Sequence, residues 1–268
     1  MNKIIGFIGA GNMAKAIVGG IVKAGLVTSE NIIMSGLSKE NLEEVKRNYK
    51  VEVTTDNKLV AKKSDILILA VKPNIYPIVI NEVKDFVKET VIIVTIAAGK
   101  SIESIEKAFE KELKVVRTMP NTPALVGEGM TAVCPNKHVT DEDINEILKL
   151  LSSFSKVEII SESLIDAVTS VSGSSPAYVY MFIEAMADAA VLQGMPRDKA
   201  YKFAAQTVLG SAKMVLETGI HPGALKDMVC SPGGTTIEAV AELENKGFRS
   251  AVISAMNKCY NKSKDMSK

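Results

Sequence analysis

The sequence has little of what several protein classes require. Its 268 residues include no Trp, only two His and only three Cys, and aromatic residues make up 5% of the chain. Cys134, Cys230 and Cys259 are widely spaced and form no CxxC motif, so no metal site is expected. Lys and Arg together number 32 against 31 for Asp and Glu, a net charge of +1. This balance gives no basic surface for nucleic acid and no cationic surface for an anionic membrane.

Long hydrophobic runs are missing as well. The longest apolar stretches, such as Ile66–Val71, are far shorter than the ~20 residues that a membrane span needs. The chain runs directly from its start into a predicted strand at Lys3–Ile8, without a signal-peptide segment. We therefore expect a cytoplasmic protein with no membrane partner. Because hydrophobic residues make up 47% of the chain and aromatics are scarce, its core must be aliphatic.

Short β-branched runs alternate with helical segments over the first 160 residues. The predicted strands are Lys3–Ile8, Asn31–Met34, Ile66–Val71, Val91–Ile96, Lys114–Met119, Met130–Cys134 and a run near Val157–Ile160. The predicted helices are Met13–Ala24, Lys39–Asn48, Asn57–Lys63, Ile75–Val87, Ser101–Phe109 and Asp141–Phe154. Most of the strand runs are apolar without alternation, which is typical of parallel strands covered on both faces. The pattern predicts an α/β fold with a doubly wound parallel sheet, a Rossmann-like domain over residues 1–160.

The strand pattern stops near residue 160, and an all-helical domain is predicted over residues 161–268. The residues Ser174-Ser175-Pro176 supply the N-cap and first position of a helix that ends at Gly194, and Met195–Asp198 opens a helix that ends at Gly219. The helices Pro222–Val229, Thr235–Asn245 and Phe248–Met266 follow. The segment Ala177–Gln193 is apolar nearly all round, so most of its sides must be buried. We expect a large hydrophobic homodimer interface, with a compact monomeric bundle as the alternative.

A glycine pattern follows the first predicted strand and opens the first helix. Gly9, Gly11 and Ala14 fit G-x-G-x-x-A, and the strand-to-helix context makes this dinucleotide-binding fingerprint specific. Gly9 permits the tight turn, Gly11 lets a pyrophosphate approach the backbone, and Ala14 keeps the helix close to the strand. The N-terminus of that helix then supplies amides and a favourable dipole to the phosphates.

The end of the second predicted strand favours NADP(H). An NAD site usually has Asp or Glu there to bind the ribose 2′-hydroxyl. This chain instead has Ser35, Ser38 and Lys39, and no carboxylate in Ile32–Lys39 to repel a 2′-phosphate. We therefore expect NADPH as the cofactor, with NADH as the alternative. A solvated loop that merely follows turn preferences is the other interpretation of these residues.

Two further strand ends belong at the carboxyl edge of the sheet, where open α/β sheets bind ligands. One is Ile96–Gly99, which contains Ala97. The other consists of Ala70, Val71, Lys72 and Pro73. Small residues and an early proline allow a cofactor to approach closely, although plain strand-to-helix turns have the same composition.

Two loops suit a substrate. Met119–Pro123 has two prolines and includes Asn121, and we expect a rigid, non-helical loop that forms a substrate floor. Ser231–Thr236 combines two glycines, hydroxyl groups and a helix N-terminus, which together make an anion nest. Taken alone, the second loop is better interpreted as an ordinary capped turn.

The chain closely resembles the pyrroline-5-carboxylate reductase family in a series of segments. In order they read GFIGAGNMA, AVKP, IAAG, MPNTPALVGEGMTA, DAVTSVSGSSPAY, GMPRDKA, AAQTVLGSAKM and HPGALKDMVCSPGGTTIEA. They extend from Gly6 to about residue 240, and the last is specific to this family. Ser175 is a small departure, since the family more often has glycine there.

The resemblance implies NAD(P)H-dependent reduction of 1-pyrroline-5-carboxylate to L-proline, the last step of proline biosynthesis. It also implies a homodimer interlocked through the helical domain, and larger rings such as a decamer of five dimers. The cofactor contacts implied by the motifs are Gly9, Gly11, Asn12, Met13, Ser35, Asn57, Lys72 and Ala97. The substrate contacts implied are Glu162, Thr235 and Thr236, the two threonines reaching across from the partner subunit.

The reduction of a cyclic imine can be matched to these residues. The cofactor supplies the hydride, and the amides of Gly233, Gly234 and Thr235 hold the carboxylate at a helix N-terminus. Because threonine is a poor acid, we hypothesise that the Thr236 hydroxyl orients an already protonated iminium. Glu162, if it points inward, favours that cation electrostatically, which makes Thr236 and Glu162 the candidate catalytic residues.

Two alternatives remain open. A Rossmann reductase of another imino or keto acid, of the hydroxyacid-dehydrogenase kind, usually has a catalytic Lys on the long helix that starts its second domain. The segment Ile159–Gln193 contains no lysine, which counts against this class. A non-catalytic NADP(H) sensor is the second alternative, and it leaves the Ser231–Thr236 loop without an explanation.

Overall fold

A single eight-stranded sheet organises the N-terminal part of the computed structural model, which describes residues 1–266. The strands in chain order are β1 (Ile5–Ile8), β2 (Ile32–Ser35), β3 (Glu52–Thr54), β4 (Ile66–Leu69), β5 (Ile92–Thr95), β6 (Lys114–Met119), β7 (Gly129–Pro135) and β8 (Ser155–Ile159). Their order in the sheet is β3-β2-β1-β4-β5-β6-β7-β8. The order reverses between β1 and β4, the point at which doubly wound sheets open a crevice for ligands.

Helices cover both faces of this sheet and create two apolar cores. They are α1 (Asn12–Lys23), α2 (Lys39–Tyr49), α3 (Asn57–Lys63), α4 (Tyr76–Val83), α5 (Ile102–Phe109) and α6 (Asp141–Leu151). One core packs α1, α2 and α6 against the sheet through residues such as Ile17, Val45 and Leu150. The other packs α3, α4 and α5 through residues such as Val60 and Phe109. The doubly wound Rossmann-like prediction is confirmed.

One strand pair departs from the expected parallel arrangement. The strands β6 and β7 are antiparallel, with Met119 opposite Ala132. Between them the chain forms only a short 3-10 helix at Thr122–Val126, too short a connection for the crossover that parallel strands require. The expectation of a wholly parallel sheet is therefore wrong at this pair. The expectation of a non-helical loop after Met119 is also wrong, because Pro123 is compatible with the first turn of a helix.

The strand β3 was missed by the sequence pattern. It has only three residues, and Glu52 is exposed while Val53 and Thr54 are half-buried. It lies at the edge of the sheet beside β2, so one of its sides has no strand neighbour. A strand this short, without a buried apolar run, leaves no periodic signal.

Hydroxyl and carboxylate caps determine where most of these helices begin. Ser38 caps α2, Asp56 caps α3, Ser101 caps α5, and Thr140 forms a capping box with Asp143 at α6. The helix α1 differs: its N-cap is Gly11, and no described side chain caps it. Its first-turn amides are therefore left for another acceptor.

The chain divides into two compact units. The first comprises Met1–Ser174 together with the chain from Cys259 on, and the second is Ser175–Lys258. Residues after the expected boundary at 160 still belong to the first unit. They form a 3-10 turn, the short helix α7 (Ile165–Val168) and a π-helical turn at Thr169–Gly173, and the Ile165 side chain is buried in the sheet core.

The second unit is helical and has a very small core of its own. Its helices are α8 (Ser175–Leu192), α9 (Arg197–Thr218), α10 (Pro222–Val229), α11 (Thr235–Asn245) and the first part of α12 (Phe248–Met266). Among residues 175–258, all of them described, only Ala187, Ala200 and Ala204 are buried. Large apolar side chains such as Met181 and Phe203 are more than 60% exposed. A core this small cannot offset the conformational entropy that folding costs. This unit therefore requires a partner surface that covers its apolar side chains.

No helix within residues 1–266 combines the length and the apolar character needed to cross a membrane.

Candidate active site

The strand ends around β1 hold the predicted fingerprint in the geometry that a dinucleotide needs. Gly9 has a φ of +112°, and a Cβ built on it would lie 2.4 Å from the carbonyl oxygen of Ala70. Its amide donates to the carbonyl of Ser35 at 2.9 Å. Gly9 is thus required both for its backbone conformation and for the close contact of three strand ends, and it brings Ser35 and Ala70 beside the turn.

Open space lies in front of Gly11, at the start of α1. A Cβ built on this residue would meet no described atom within 4 Å. Gly11, Asn12 and Met13 form the uncapped first turn, whose amides point along the helix axis. Ala14, the last fingerprint residue, is buried against the sheet. An uncapped helix N-terminus facing open space fits a pyrophosphate, which would accept these amides.

The predicted cofactor residues Ser35 and Asn57 contact one another. The Ser35 hydroxyl is fully buried and donates to Oδ1 of Asn57 at 2.7 Å. The Asn57 side-chain amide donates in turn to Oε2 of Glu82 on α4 at 2.8 Å. Glu82 was not found from the sequence, because nothing marks it on an amphipathic helix. These bonds fix the Asn57 side chain, while the Ser35 side chain lies beneath the surface of the crevice.

The loop between β2 and α2 presents its polar groups to solvent. Leu37 is 98% exposed, and Ser38 and Lys39 are exposed as well. The Ser38 hydroxyl accepts from the Asn41 amide at 3.2 Å as the cap of α2. Lys39 is the first residue of that helix and makes no salt bridge with a described residue. A cation beside a helix N-terminus suits a 2′-phosphate.

The ends of β4 and β5 are joined by a buried tyrosine. The Tyr76 hydroxyl donates to the carbonyl of Leu69 at 2.6 Å and accepts from the Thr95 hydroxyl at 2.9 Å. Burial raises the pKa of Tyr76 to about 12, although hydrogen bonds from Thr95 and nearby amides oppose the rise. The phenol is therefore neutral near pH 7. Directly after these strands follow the predicted Ala70–Pro73 and Ile96–Gly99 segments, in which Ala97 is buried and Lys72 exposed.

Glu162 lies beside a buried arginine. Its Oε1 accepts from Nη1 of Arg117 at 2.7 Å and from the amide of Ile102, at the start of α5, at 2.8 Å. Arg117 is only 5% exposed. The Glu162 carboxylate therefore neutralises the positive charge of Arg117 on β6 and binds the N-terminus of α5. A single arginine within an apolar strand was the sequence signal for a buried partner.

Asn121 connects two segments of the first unit. Its Oδ1 accepts from the Met130 amide at 2.9 Å, and its side-chain nitrogen donates to the carbonyl of Ser172 at 3.1 Å. The side chain is 8% exposed. Both ends of the amide thus bind the backbone, which fixes the loop after β6 against the π-helical turn.

The predicted anion loop lies in the helical unit, at the start of α11. Gly233 has a φ of +66°, and the Gly234 amide donates to the carbonyl of Ser231 at 3.0 Å. Gly234 is the N-cap of α11, and no described side chain caps this helix. The first-turn amides, from Thr235 and Thr236 on, are therefore available to an anion.

Comparison with known proteins assigns the family. Residues 162–266 match the family model described as pyrroline-5-carboxylate reductase dimerisation, and residues 4–121 match the model described as NADP oxidoreductase coenzyme F420-dependent. The pyrroline-5-carboxylate reductase of Escherichia coli K12 is 53% identical over 268 residues, covering 100% of both chains. The chain belongs to the pyrroline-5-carboxylate reductase family. The reductase of Methanosarcina acetivorans is 45% identical over 267 residues, 100% of this chain and 99% of the relative.

A solved pyrroline-5-carboxylate reductase has the same fold. The Plasmodium falciparum pyrroline carboxylate reductase with NADP bound superposes with a TM-score of 0.92 at 35% identity, covering 100% of this chain and 99% of that one. The family similarity therefore extends over both the sheet domain and the helical domain, and the reductase family resemblance inferred from the sequence is confirmed.

Proposed function

We infer that this chain reduces 1-pyrroline-5-carboxylate to L-proline with NADPH, the last step of proline biosynthesis. One observation carries the inference: an uncapped helix N-terminus behind Gly9 and Gly11 in a chain 53% identical, end to end, to a reductase of that name. The relative solved with NADP bound supports NADPH as the cofactor. NADPH supplies the hydride that reduces the imine carbon.

The residues that hold NADPH are proposed from the geometry at the carboxyl edge of the sheet. The amides of Asn12 and Met13 would bind the pyrophosphate in the space in front of Gly11. The exposed Ser38 and Lys39 would bind the 2′-phosphate. The remaining proposed contacts surround the same crevice: Asn57, Ala70, Val71, Lys72, Pro73 and Ala97. Ser35, which is fully buried beneath the crevice, would act by orienting the Asn57 side chain.

The residues that hold the substrate are proposed from the loop before α11. The Gly233 and Thr235 amides, at an uncapped helix N-terminus, would bind the carboxylate, while Gly234 maintains the turn through Ser231. The Thr236 hydroxyl would accept a hydrogen bond from the protonated ring nitrogen and so orient the iminium. Asn121 would contribute by holding the floor of the site through its two backbone bonds.

Glu162 remains in the proposal as an electrostatic contributor, but its carboxylate is shared. Arg117 balances its charge at 2.7 Å, so the field that reaches a cationic iminium is reduced. We propose that Glu162 acts chiefly by fixing the start of α5 and Arg117. Thr236 is therefore the stronger candidate for direct contact with the substrate.

The reaction is tested by measuring NADPH oxidation and proline formation with 1-pyrroline-5-carboxylate, first for the natural chain. Equal amounts of both are expected. NADPH binding without turnover would favour another imino or keto acid as the substrate, or the sensor alternative. Thr236→Val and Thr236→Ser then form a matched pair, since only the serine keeps the hydroxyl. We expect Thr236→Val to lower kcat/KM at least about tenfold and Thr236→Ser to stay close to the natural chain.

We also propose that the site is completed by a partner subunit in a homodimer. The dimerisation family match over residues 162–266 and the exposed apolar helices of the second unit support self-association. Mixed dimers of a Gly11→Ala subunit and a Thr236→Val subunit test it, because a Cβ at Gly11 meets no described atom and should impair NADPH binding without unfolding the chain. If the loop before α11 serves the partner, one of the two sites in such a dimer is intact and activity returns. If each chain uses its own loop, the mixture stays inactive.

We propose that five dimers form a decamer, which light scattering would detect as ten chains of 28.7 kDa. A mass that stays at two chains at all concentrations would contradict it. We also propose a cytoplasmic location, supported by the free thiols of Cys134, Cys230 and Cys259.

A further inference from the structure

Three buried hydroxyl groups form a path of hydrogen bonds across the carboxyl ends of three neighbouring strands, with the Thr95 residue itself joining the bond from Thr118 to the bond with Tyr76. Tyr76 Oη donates to the Leu69 carbonyl at the end of β4, and Thr95 Oγ1 at the end of β5 donates to Tyr76 Oη. Thr118 Oγ1 on β6 donates to the Thr95 carbonyl at 3.0 Å. Tyr76, Thr95 and Thr118 are each at most 1% exposed.

The position of this path connects it with the cofactor crevice. Leu69 is followed at once by the Ala70–Pro73 segment, and Thr95 is followed by Ile96–Gly99. These two segments are the proposed walls of the crevice on the side away from β2. The backbone register between β4 and β5 ends with Leu69 opposite Thr95, so the ladder itself does not extend to either segment.

Side-chain hydrogen bonds therefore join β4 and β5 at the point where the backbone ladder between them ends. Tyr76 is the first residue of α4 and has its phenol turned beneath both strand ends, so one oxygen fixes the separation of the two walls. A phenol in the first turn of a helix is not needed for packing alone, because phenylalanine would fill the same volume. The hydroxyl is what joins the strand ends.

We propose that Tyr76, with Thr95 and Thr118, is a positioning network that sets the width of the nicotinamide side of the crevice. The proposal rests on the function inferred above only in naming NADPH as the occupant. Tyr76 does not touch the reacting atoms, since it is buried beneath the strand ends, and it acts through the Ala70–Pro73 and Ile96–Gly99 segments.

The test compares Tyr76→Phe and Thr95→Val with Thr95→Ser, which keeps the hydroxyl. For the first two, the dissociation constant of NADPH from fluorescence titration should rise about threefold to tenfold, the factor that loss of one hydrogen bond produces. Thr95→Ser should bind NADPH like the natural chain. The double variant Tyr76→Phe/Thr95→Val should lose less than the product of the two single effects, because both changes break the same bond.

Two controls separate positioning from a loss of stability. Tyr49→Phe makes the same chemical change on α2, and Phe109→Leu weakens the core at the far end of α5. Both should keep the affinity for NADPH, even where Tm falls as far as in Tyr76→Phe. Hydrogen exchange of the protein without cofactor provides an independent measurement: the amides of Ala70, which donates to the Ile8 carbonyl, and of Ala97 should exchange faster in Tyr76→Phe and not in the controls.

The NADPH titration and the hydrogen exchange test the positioning role of Tyr76 whether or not the chain reduces 1-pyrroline-5-carboxylate. Unchanged NADPH affinity and unchanged exchange in Tyr76→Phe would overturn the positioning role, even with full proline formation by the natural chain. Equal affinity losses in Tyr76→Phe and Phe109→Leu at matched Tm would also overturn it. A natural chain that binds NADPH but forms no proline would contradict the function alone, because the titration still reports on the network.

Discussion

Glu162 and Arg117 form an ion pair that joins the start of the second family segment to the interior of the sheet. Glu162 Oε1 and Arg117 Nη1 are 2.7 Å apart, and the same oxygen accepts the Ile102 amide. The Arg117 side chain is 6% exposed and that of Glu162 is 33% exposed. Such a pair contributes little net stability while it is intact, but the loss of one partner leaves a buried charge without a counterion.

Glu162→Gln should therefore reduce stability more than activity. The amide side chain keeps the shape and can still accept a hydrogen bond, but it leaves Arg117 without a balancing charge. We expect the free energy of unfolding in urea to fall by about 1–3 kcal/mol. We expect kcat/KM, measured where the protein is fully folded, to fall less than about tenfold. A large loss of kcat/KM at unchanged stability would instead support a direct electrostatic role.

Gly11→Ala should separate cofactor binding from folding. Gly11 has an ordinary φ of −80°, and a Cβ there meets no described atom, so stability should stay unchanged or rise by about 0.4–1 kcal/mol. The new methyl group occupies the space proposed for the pyrophosphate, so NADPH affinity should fall at least about tenfold. Calorimetry and fluorescence titration measure the two effects.

Gly9→Ala provides the contrast. Its φ of +112° and the 2.4 Å approach to the Ala70 carbonyl predict a destabilised protein, with loss of stability and cofactor binding together. For the Gly11→Ala variant, an unfolded protein or one with full NADPH affinity would contradict the open space in front of Gly11.

Lys39→Gln should reveal the 2′-phosphate site through two opposite effects. Removing a cation from the first turn of α2 relieves an unfavourable interaction with the helix dipole, so stability should rise by about 0.3–1 kcal/mol. The KM for NADPH should rise about tenfold, while that for NADH should not change. Lys46→Gln, in the last turn of the same helix, serves as the control and should leave both KM values unchanged. Equal changes for NADPH and NADH would place the 2′-phosphate elsewhere.

The buried phenol of Tyr76 predicts a loss of stability at alkaline pH. Its pKa is about 12 in the folded protein against 10.0 for an unburied tyrosine, so between these values the folded state holds more protons than the unfolded state. The free energy of unfolding must then fall as pH rises through this window. Tyr76→Phe lacks this contribution, so its stability deficit should narrow between pH values of about 8 and about 11 in urea titrations. A constant deficit would contradict a buried, neutral phenol.

Much of the fold could be predicted because its signals are local. The helices at Pro222–Val229 and Thr235–Asn245 have clear start and stop residues, and the structure has the same bounds. The antiparallel pair β6 and β7 was missed although its signal was present: the connection around Thr122–Val126 is too short for a crossover.

The candidate site could be predicted only where a single sequence motif contains all the residues that form the feature. The turn around Gly9 and Gly11 is of this kind, because sequence neighbours form it. The partner of Arg117 is 45 positions away, and no local pattern indicates which carboxylate the fold brings to it. Tyr76 was missed for a related reason: its bonds to Leu69 and Thr95 exist only once two strands lie side by side.

The most direct test of the reductase account follows the hydride itself. With NADPH carrying deuterium at the transferred position of its nicotinamide and 1-pyrroline-5-carboxylate as the substrate, we expect proline about one mass unit heavier. The label should be bonded to the ring carbon that was doubly bonded to nitrogen. Proline without the label, or consumption of labelled NADPH with no proline formed, would contradict hydride transfer to this imine and with it the proposed function.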